Sequence, residues 1–239
     1  VCLDALRDLD DALSTCAMFA SLGGDDDHSI RSNMVKKSAK LLDEFLYLVS
    51  ECGFLTKSFI SVKGFYYQAN ILGETITWLM PHQFTQKIPD QVDFRVISTF
   101  LEFYHTLIKF VNFKLYQMND MTYPPTVDNQ LANNGARFLS LKAQRLSTES
   151  SNNESLFRDL VFFVSREVPL SPVAFIIRNF GGKVGWESPQ SPVAKDSPDI
   201  THFVVDRPLK FIQDLIDAHP SCEFIQPQWI FDSMNELIR

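Results

Sequence analysis

Cysteine is scarce in this chain: Cys2, Cys16, Cys52 and Cys222 are the four in 239 residues, and none stands at metal-ligand spacing from another. That density is too low for a disulfide framework, so free thiols in a reducing compartment are expected. No apolar run approaches the ~20 residues that a membrane-crossing helix needs, so no membrane span is predicted. The nine glycines form no phosphate-cradling loop, and Gly-x-Ser-x-Gly is absent. His28, His82, His105, His202 and His219 are scattered, each reading as a surface or core histidine and not as half of a ligand pair. Catalysis is therefore not expected, and neither a cofactor nor a small-molecule substrate is implied. Positive charge is short as well. A net charge of −7 argues against a general nucleic-acid binder while leaving room for local basic patches. The acidic run Gly23-Gly24-Asp25-Asp26-Asp27 lacks the alternating spacing of a calcium loop and reads as a solvated loop.

What is present is apolar residue, 45% of the chain, enough for a sizeable core and for two domains. Leu3, Leu6, Leu9 and Leu13 mark a first amphipathic helix, Asp4 to Phe19 reading as helical, and Val35, Leu41, Leu42, Phe45 and Leu48 suggest a second. Because the chain starts at Val1 with a helix almost under way, a preceding N-terminal part is expected. Ser58 to Met80 is β-branched and aromatic, punctuated by Gly64 and Gly73, and predicts strands joined by tight turns. Val92 to Met118 predicts the longest helix, with Val96, Phe100, Tyr104, Leu107, Val111, Leu115 and Met118 on one side, a stripe expected to be core. Thr126 to Ser155 is polar and rich in Asn and Ser, which predicts a linker over 126–155 between domains at 1–125 and 156–239.

The last third changes character. Val161-Phe162-Phe163-Val164 predicts a buried strand. Ser171 as cap and Pro172 in the first turn then open a helix whose Val173, Ile176, Ile177 and Phe180 form one stripe. Gly181 supplies a left-handed stop, and Gly182 is expected to be needed for its backbone angles. Lys183 to Trp186 and Thr201 to Val205 predict further strands, separated by a crossover loop at Ser188 to Asp199. Pro208 opens a helix with Leu209, Ile212, Leu215 and Ile216 inward. Glu223 to Ile225 predicts a strand, and Pro227 leads a final helix with Ile230, Met234, Leu237 and Ile238 on one face. The order β-α-β-β-α-β-α implies a four-stranded parallel sheet flanked by helices. Trp229 near the start of that last helix reads as a packing residue, as do the two glycines.

These elements, with Gly181-Gly182 and Trp229-Ile230-Phe231-Asp232-Ser233, resemble a BRCT domain, a binding module that does no chemistry. In the first half, Asp4 to Leu13, Ser61 to Ala69 continuing through Trp78 to Pro81, and Val92 to Val96 leading through Phe110 to Gln117 and on to Tyr123-Pro124-Pro125 are similar to the pescadillo family. So are Arg166-Glu167-Val168-Pro169, Val205-Asp206-Arg207-Pro208 and Gln226-Pro227-Gln228-Trp229. The fold implied is a mainly α N-terminal domain with a small β element, followed by an α/β BRCT domain. Pescadillo proteins begin with a strongly basic segment, carry a longer acidic insert between domains and end in a charged tail; none of these stands in this chain.

The resemblance implies a nucleolar, also nucleoplasmic, scaffold of ribosome biogenesis that works with WD-repeat assembly proteins and contacts precursor ribosomal RNA near the internal transcribed spacer in the pre-60S particle. Arg31, Lys36, Lys37 and Lys40 cluster at the start of the second helix and are the expected RNA contacts. Ser165, Arg166, Arg178, Arg207 and Lys210 are expected on the BRCT surface, open to RNA or an acidic partner. An alternative is a phosphopeptide-binding BRCT adaptor in DNA repair or cell-cycle signalling, which needs a hydroxyl after the first strand, a backbone N–H and a lysine from the second helix. Ser165 stands where the hydroxyl would be. Arg166 replaces the usual glycine, Lys210 comes about a turn early and Gln213 is nearer the required position, so phosphate-dependent binding is not expected.

Overall fold

The computed structural model describes residues 3–22, 32–82, 94–129, 131, 136–146 and 155–239. They fold as two compact units, one drawn from Val1–Val49, Phe54–Thr126 and Leu141–Glu149, the other from Ser50–Gly53, Val127–Ser140 and Ser150–Arg239.

In the first unit α1 (Leu3–Arg7) and α2 (Leu9–Ser21) are separated at Asp8, so the predicted first helix is two. Asp10 and Asp11 lie in the first turn of α2, where carboxylates suit the positive helix end. α3 (Ser32–Cys52) follows, then an antiparallel sheet of β1 (Leu55–Ile60), β2 (Gly64–Ile71) and β3 (Glu74–Pro81), ordered β1-β2-β3, and the long α4 (Phe94–Met118). Gly73 turns β2 into β3 at φ +85°. One face of the sheet carries buried Tyr67, Ala69, Ile71, Ile76 and Trp78. Trp78 meets Phe45 of α3 edge to face, with centroids 5.4 Å apart. The side of β3 that bears no strand is closed by α2: Asp10 Oδ1 accepts from the Thr77 N–H at 3.0 Å and Ser14 Oγ from the Leu79 N–H at 3.1 Å. Those bonds satisfy edge donors that would otherwise invite another strand.

The predicted stripe of α4 needs correction. Val111 and Leu115 are buried and Tyr104 and Leu107 are half-buried, but Val96, Phe100 and Met118 are exposed. The core face is instead Leu101, His105, Ile108, Val111, Asn112, Leu115 and Tyr116, with the Asn112 amide donating to the Leu41 carbonyl at 3.0 Å. Apolar residues surround most of this helix, so periodicity alone assigned the wrong rows to the core.

Part of the stretch read as linker is structured. β4 (Thr126–Val127) pairs with β5 (Leu141–Lys142), and a 3-10 turn spans Arg137–Ser140. Within the second unit Phe138 is 1% exposed and meets Phe175 edge to face at 5.8 Å. A few apolar residues in a polar stretch suffice to pull it into a core.

The second unit is built on β6 (Val161–Val164), α5 (Leu170–Asn179), β7 (Lys183–Trp186), β8 (His202–Val204), α6 (Gln213–Ala218), β9 (Glu223–Ile225) and α7 (Pro227–Glu236). The four strands lie in the order β7-β6-β8-β9, and every pairing is parallel. Side chains alternate along β6. Val161 and Phe163 join Phe203, Val205 and Ile212 on one side. On the other, Phe162 lies 6.5 Å from the ring of Trp229 on α7, and Trp229 stacks on Phe157 at 6.1 Å.

Three boundaries differ from expectation. α5 begins at Leu170, so Ser171 is inside the helix and its side chain is not the cap. The helix expected after Pro208 is broken into a 3-10 turn at Leu209–Phe211 and the short α6, with the turn aiming Ile212 into the core. Leu237 and Ile238 lie beyond the end of α7 and are exposed, Leu237 taking the left-handed cap position at φ 55°.

Candidate functional site

The basic cluster lies at the start of α3, where Lys36, Lys37 and Lys40 are exposed while Ser38 and Ala39 turn inward. Arg31 lies outside the described residues. Lys40 Nζ is 3.9 Å from Glu44 Oε1 one turn on, whereas neither Lys36 nor Lys37 has an ion-pair partner among the described residues. Glu44 is itself 3% exposed at the side chain. Burial raises its pKa, against the pull of the Tyr123 hydroxyl, which donates to Oε2 at 2.8 Å, and of Lys40.

Beneath this patch is a buried trio that looks like a nucleophile and its base. Ser38 Oγ and His105 Nε2 are 2.7 Å apart, and Cys16 bonds to the same hydroxyl. All three are sealed, at 0%, 1% and 0% exposure. Burial, with Lys37 nearby, lowers the His105 pKa to about 4, and burial raises that of Cys16 to about 12. The imidazole is neutral and the thiol protonated at pH 7, so the trio ties α2, α3 and α4 together by polar contact.

On the second unit Ser165, Arg166 and Arg207 line an open cleft of about 550 Å³ together with Glu167, Glu187, Lys195, Asp196 and Asp214. Arg166 Nε is 3.3 Å and Lys195 Nζ 3.8 Å from Glu187, and Arg207 Nε is 3.4 Å from Glu167. The cations facing this cleft are thus matched by carboxylates. Lys210 does not line it; its ammonium sits over the Phe211 ring, 4.8 Å from the centroid. Gln213 does not line it either and donates to Asp217 at 2.9 Å. The Ser165 N–H is engaged by the Val204 carbonyl at 3.0 Å. Arg178 is half-buried and pairs with Glu51 inside the second unit, so it is not a free cation there.

Gly181 serves the turn of the backbone, while Gly182 and Trp229 sit in packing roles. Gly181 adopts φ +77° at the end of α5. Trp229 packs against Phe157, Phe162 and His202. Gly182 is a correction: its φ is not positive, and a Cβ there would come 2.7 Å from Ile177 Cγ2 and 3.0 Å from Phe157 Cβ. The need is for space.

One surface escaped the sequence reading. On the outer face of the three-stranded sheet Phe59 stacks on Tyr66, with centroids 4.7 Å apart and planes 4° from parallel, while Phe59 stays 56% exposed. The alternation Lys57, Phe59 against Tyr66, Gln68 carried the signal, but it reads as one face only once the register is known.

Comparison with known proteins finds two family models along the chain. Residues 1–156 match the family model described as Pescadillo N-terminus, and residues 152–234 match that for the BRCA1 C-terminal (BRCT) domain. The chain belongs to the pescadillo family. Pescadillo homologues are 35% identical in Oryza sativa subsp. japonica, 33% in Schizosaccharomyces pombe and 36% in Xenopus laevis, over 98–99% of this chain. The chain spans about half the length of these pescadillo relatives, 48–50%. The rice alignment covers 299 positions against a chain of 239 residues, so that pescadillo carries extra residues within the matched span.

Proposed function

We propose that this chain is the two-domain part of a non-catalytic scaffold in assembly of the large ribosomal subunit, binding WD-repeat assembly proteins and precursor ribosomal RNA in the nucleolus and nucleoplasm. The observation that carries the reading is the pescadillo match along nearly the whole chain, through both domains in order. Both matched families are non-catalytic, and the Ser38–His105–Cys16 grouping is sealed from any substrate. Lys36 and Lys37, exposed and free of ion pairs among the described residues, offer the local positive density that phosphates require.

The test is Lys36→Glu and Lys37→Glu combined with Lys40→Gln in the full-length protein, glutamine being chosen at 40 because a carboxylate there would face buried Glu44. Crosslinking to precursor RNA and salt-dependent retention in pre-60S particles should both fall. A folded variant that crosslinks and associates as the unaltered protein does would overturn RNA contact at this patch.

The phosphopeptide alternative finds less support. Phosphate capture needs free charge-assisted donors, and in the cleft beside Ser165 the arginines and the lysine already face glutamates.

A further inference from the structure

The sheet of the first unit has two unlike faces. The inner one is the buried set around Trp78. The outer one is fixed by register, with Phe59 opposite Tyr66, Lys57 opposite Gln68, and Gln68 opposite Thr77 on the third strand. It carries the parallel Phe59–Tyr66 stack, more than half of Phe59 being left in solvent. Beside the stack runs a polar row in which Thr56 Oγ1 donates to the Gln68 carbonyl at 3.0 Å and Gln68 Nε2 to Thr77 Oγ1 at 3.4 Å. Lys57 shares the face, and Lys63 sits in the turn that joins β1 to β2. Neither lysine has an ion-pair partner among the described residues. From Leu55 to Gly73 the sequence contains no Asp or Glu, in a chain that carries 29 of them, so this face is the complement of a polyanion.

We propose that the outer face of this sheet binds unpaired nucleotides of RNA, a base stacking on Phe59 and the neighbouring phosphates meeting Lys57 and Lys63. The proposal rests on the RNA-contact reading above and adds a second surface, distinct from the α3 lysines, with its own chemistry. An aromatic ring presents a flat π-face that any base can stack on, and amide and hydroxyl groups beside it can meet base edges. Bases inside a duplex keep their faces covered by stacking, so the surface selects single strands. An apolar protein segment could cover Phe59, but it would leave two lysines without counter-charge, which disfavours it.

The experiment uses the whole chain and 12-nucleotide oligouridine and oligoadenosine RNA, each single-stranded and as the mutual duplex, with binding followed by fluorescence anisotropy across a salt series. Single strands should bind more tightly than the duplex. Phe59→Leu, which keeps an apolar contact with Tyr66 but removes the π-face, should weaken single-strand binding about tenfold. Phe59→Trp should bind at least as tightly as Phe59, a readout that survives if leucine disturbs the fold. Lys57→Gln with Lys63→Gln should lower the slope of log affinity against log salt by about 0.7 per lysine. Folded variants that bind as the unaltered chain does would overturn the proposal, as would equal affinity for duplex. In intact particles, unchanged RNA crosslinks together with loss of one co-purifying protein would reassign the face to a protein partner and overturn it too. If unaltered protein forms no crosslink to precursor RNA, the RNA-contact reading itself fails. If crosslinks persist but depend only on Lys36, Lys37 and Lys40, that reading stands and the sheet proposal falls.

Discussion

Gly182 and Gly73 are glycine for opposite reasons, and substitution separates them. At Gly182 an added Cβ meets Ile177 and Phe157 in a packed core, so Gly182→Ala should cost about 1–3 kcal/mol through overpacking. Gly73, at φ +85° with open space around it, should lose only about 1 kcal/mol on Gly73→Ala, from backbone strain alone. Urea denaturation of the two variants measures the difference; equal losses would refute the steric account of Gly182. His105 makes a different residue-scale claim. Its folded pKa, lowered to about 4, lies below the ordinary value of 6.5, so the folded state binds fewer protons than the unfolded chain between those values. The contribution is fully present above pH 6.5 and is lost as pH falls towards 4, amounting to about 2 kcal/mol between pH 7 and pH 5. Glu44, with its pKa raised, acts in the opposite sense, its cost growing as pH rises. His105→Gln should therefore be less acid-sensitive than the parent between pH 7 and pH 5 in denaturant titrations, and an unchanged slope would contradict this.

At the scale of elements, α4 shows where periodicity stops being informative. The helix was legible from Val92 to Met118, and within the described residues it runs Phe94–Met118. Which side faces the core was not legible, because Phe100, Phe103, Phe110 and Phe113 make an apolar row in solvent beside the true inner face. The expected outcome is an inverted pattern of costs. Ile108→Ala should lose about 2–4 kcal/mol, while Phe103→Ser, at a position 69% exposed, should stay within about 0.5 kcal/mol; thermal unfolding decides between the two assignments of the core. The parallel sheet was read more completely, since Val161–Val164 and Lys183–Trp186 are short apolar runs bounded by Gly or turn residues, and buried parallel strands have that form. Phe138 was missed for the converse reason. An isolated aromatic in a polar stretch has no period to betray it, yet its burial against Phe175 is what ties 136–140 to the second unit.

For the molecule as a whole, net charge is a poor guide to what it binds, because charge acts locally within about a Debye length of 8–10 Å. The sequence showed the three α3 lysines as a cluster, since a helix brings Lys36 and Lys40 one turn apart. It could not show that Arg166, Lys195 and Arg207 each face a glutamate, because those pairs join residues distant in sequence. This second pattern yields the last prediction. The Ser165 cleft holds Glu167, Glu187, Asp196 and Asp214 against three cations, so a phosphoserine dianion entering it would have to break existing ion pairs and approach four carboxylates. Exposed pairs of this kind are individually weak, about 0–1 kcal/mol, and the repulsion of a dianion by the carboxylates left behind is the larger opposing effect. Calorimetric titration with a phosphoserine peptide at pH 7 should give no binding in the micromolar range and no difference from the dephosphorylated peptide. Opening the site by Glu187→Gln and Asp214→Lys together should create weak phosphate-dependent binding, because it removes two of the four carboxylates and supplies the missing cation from α6. Micromolar, phosphate-dependent affinity in the unaltered chain, lost on Ser165→Ala, would show that the ion pairs yield to the ligand and that the cleft reads phosphate after all.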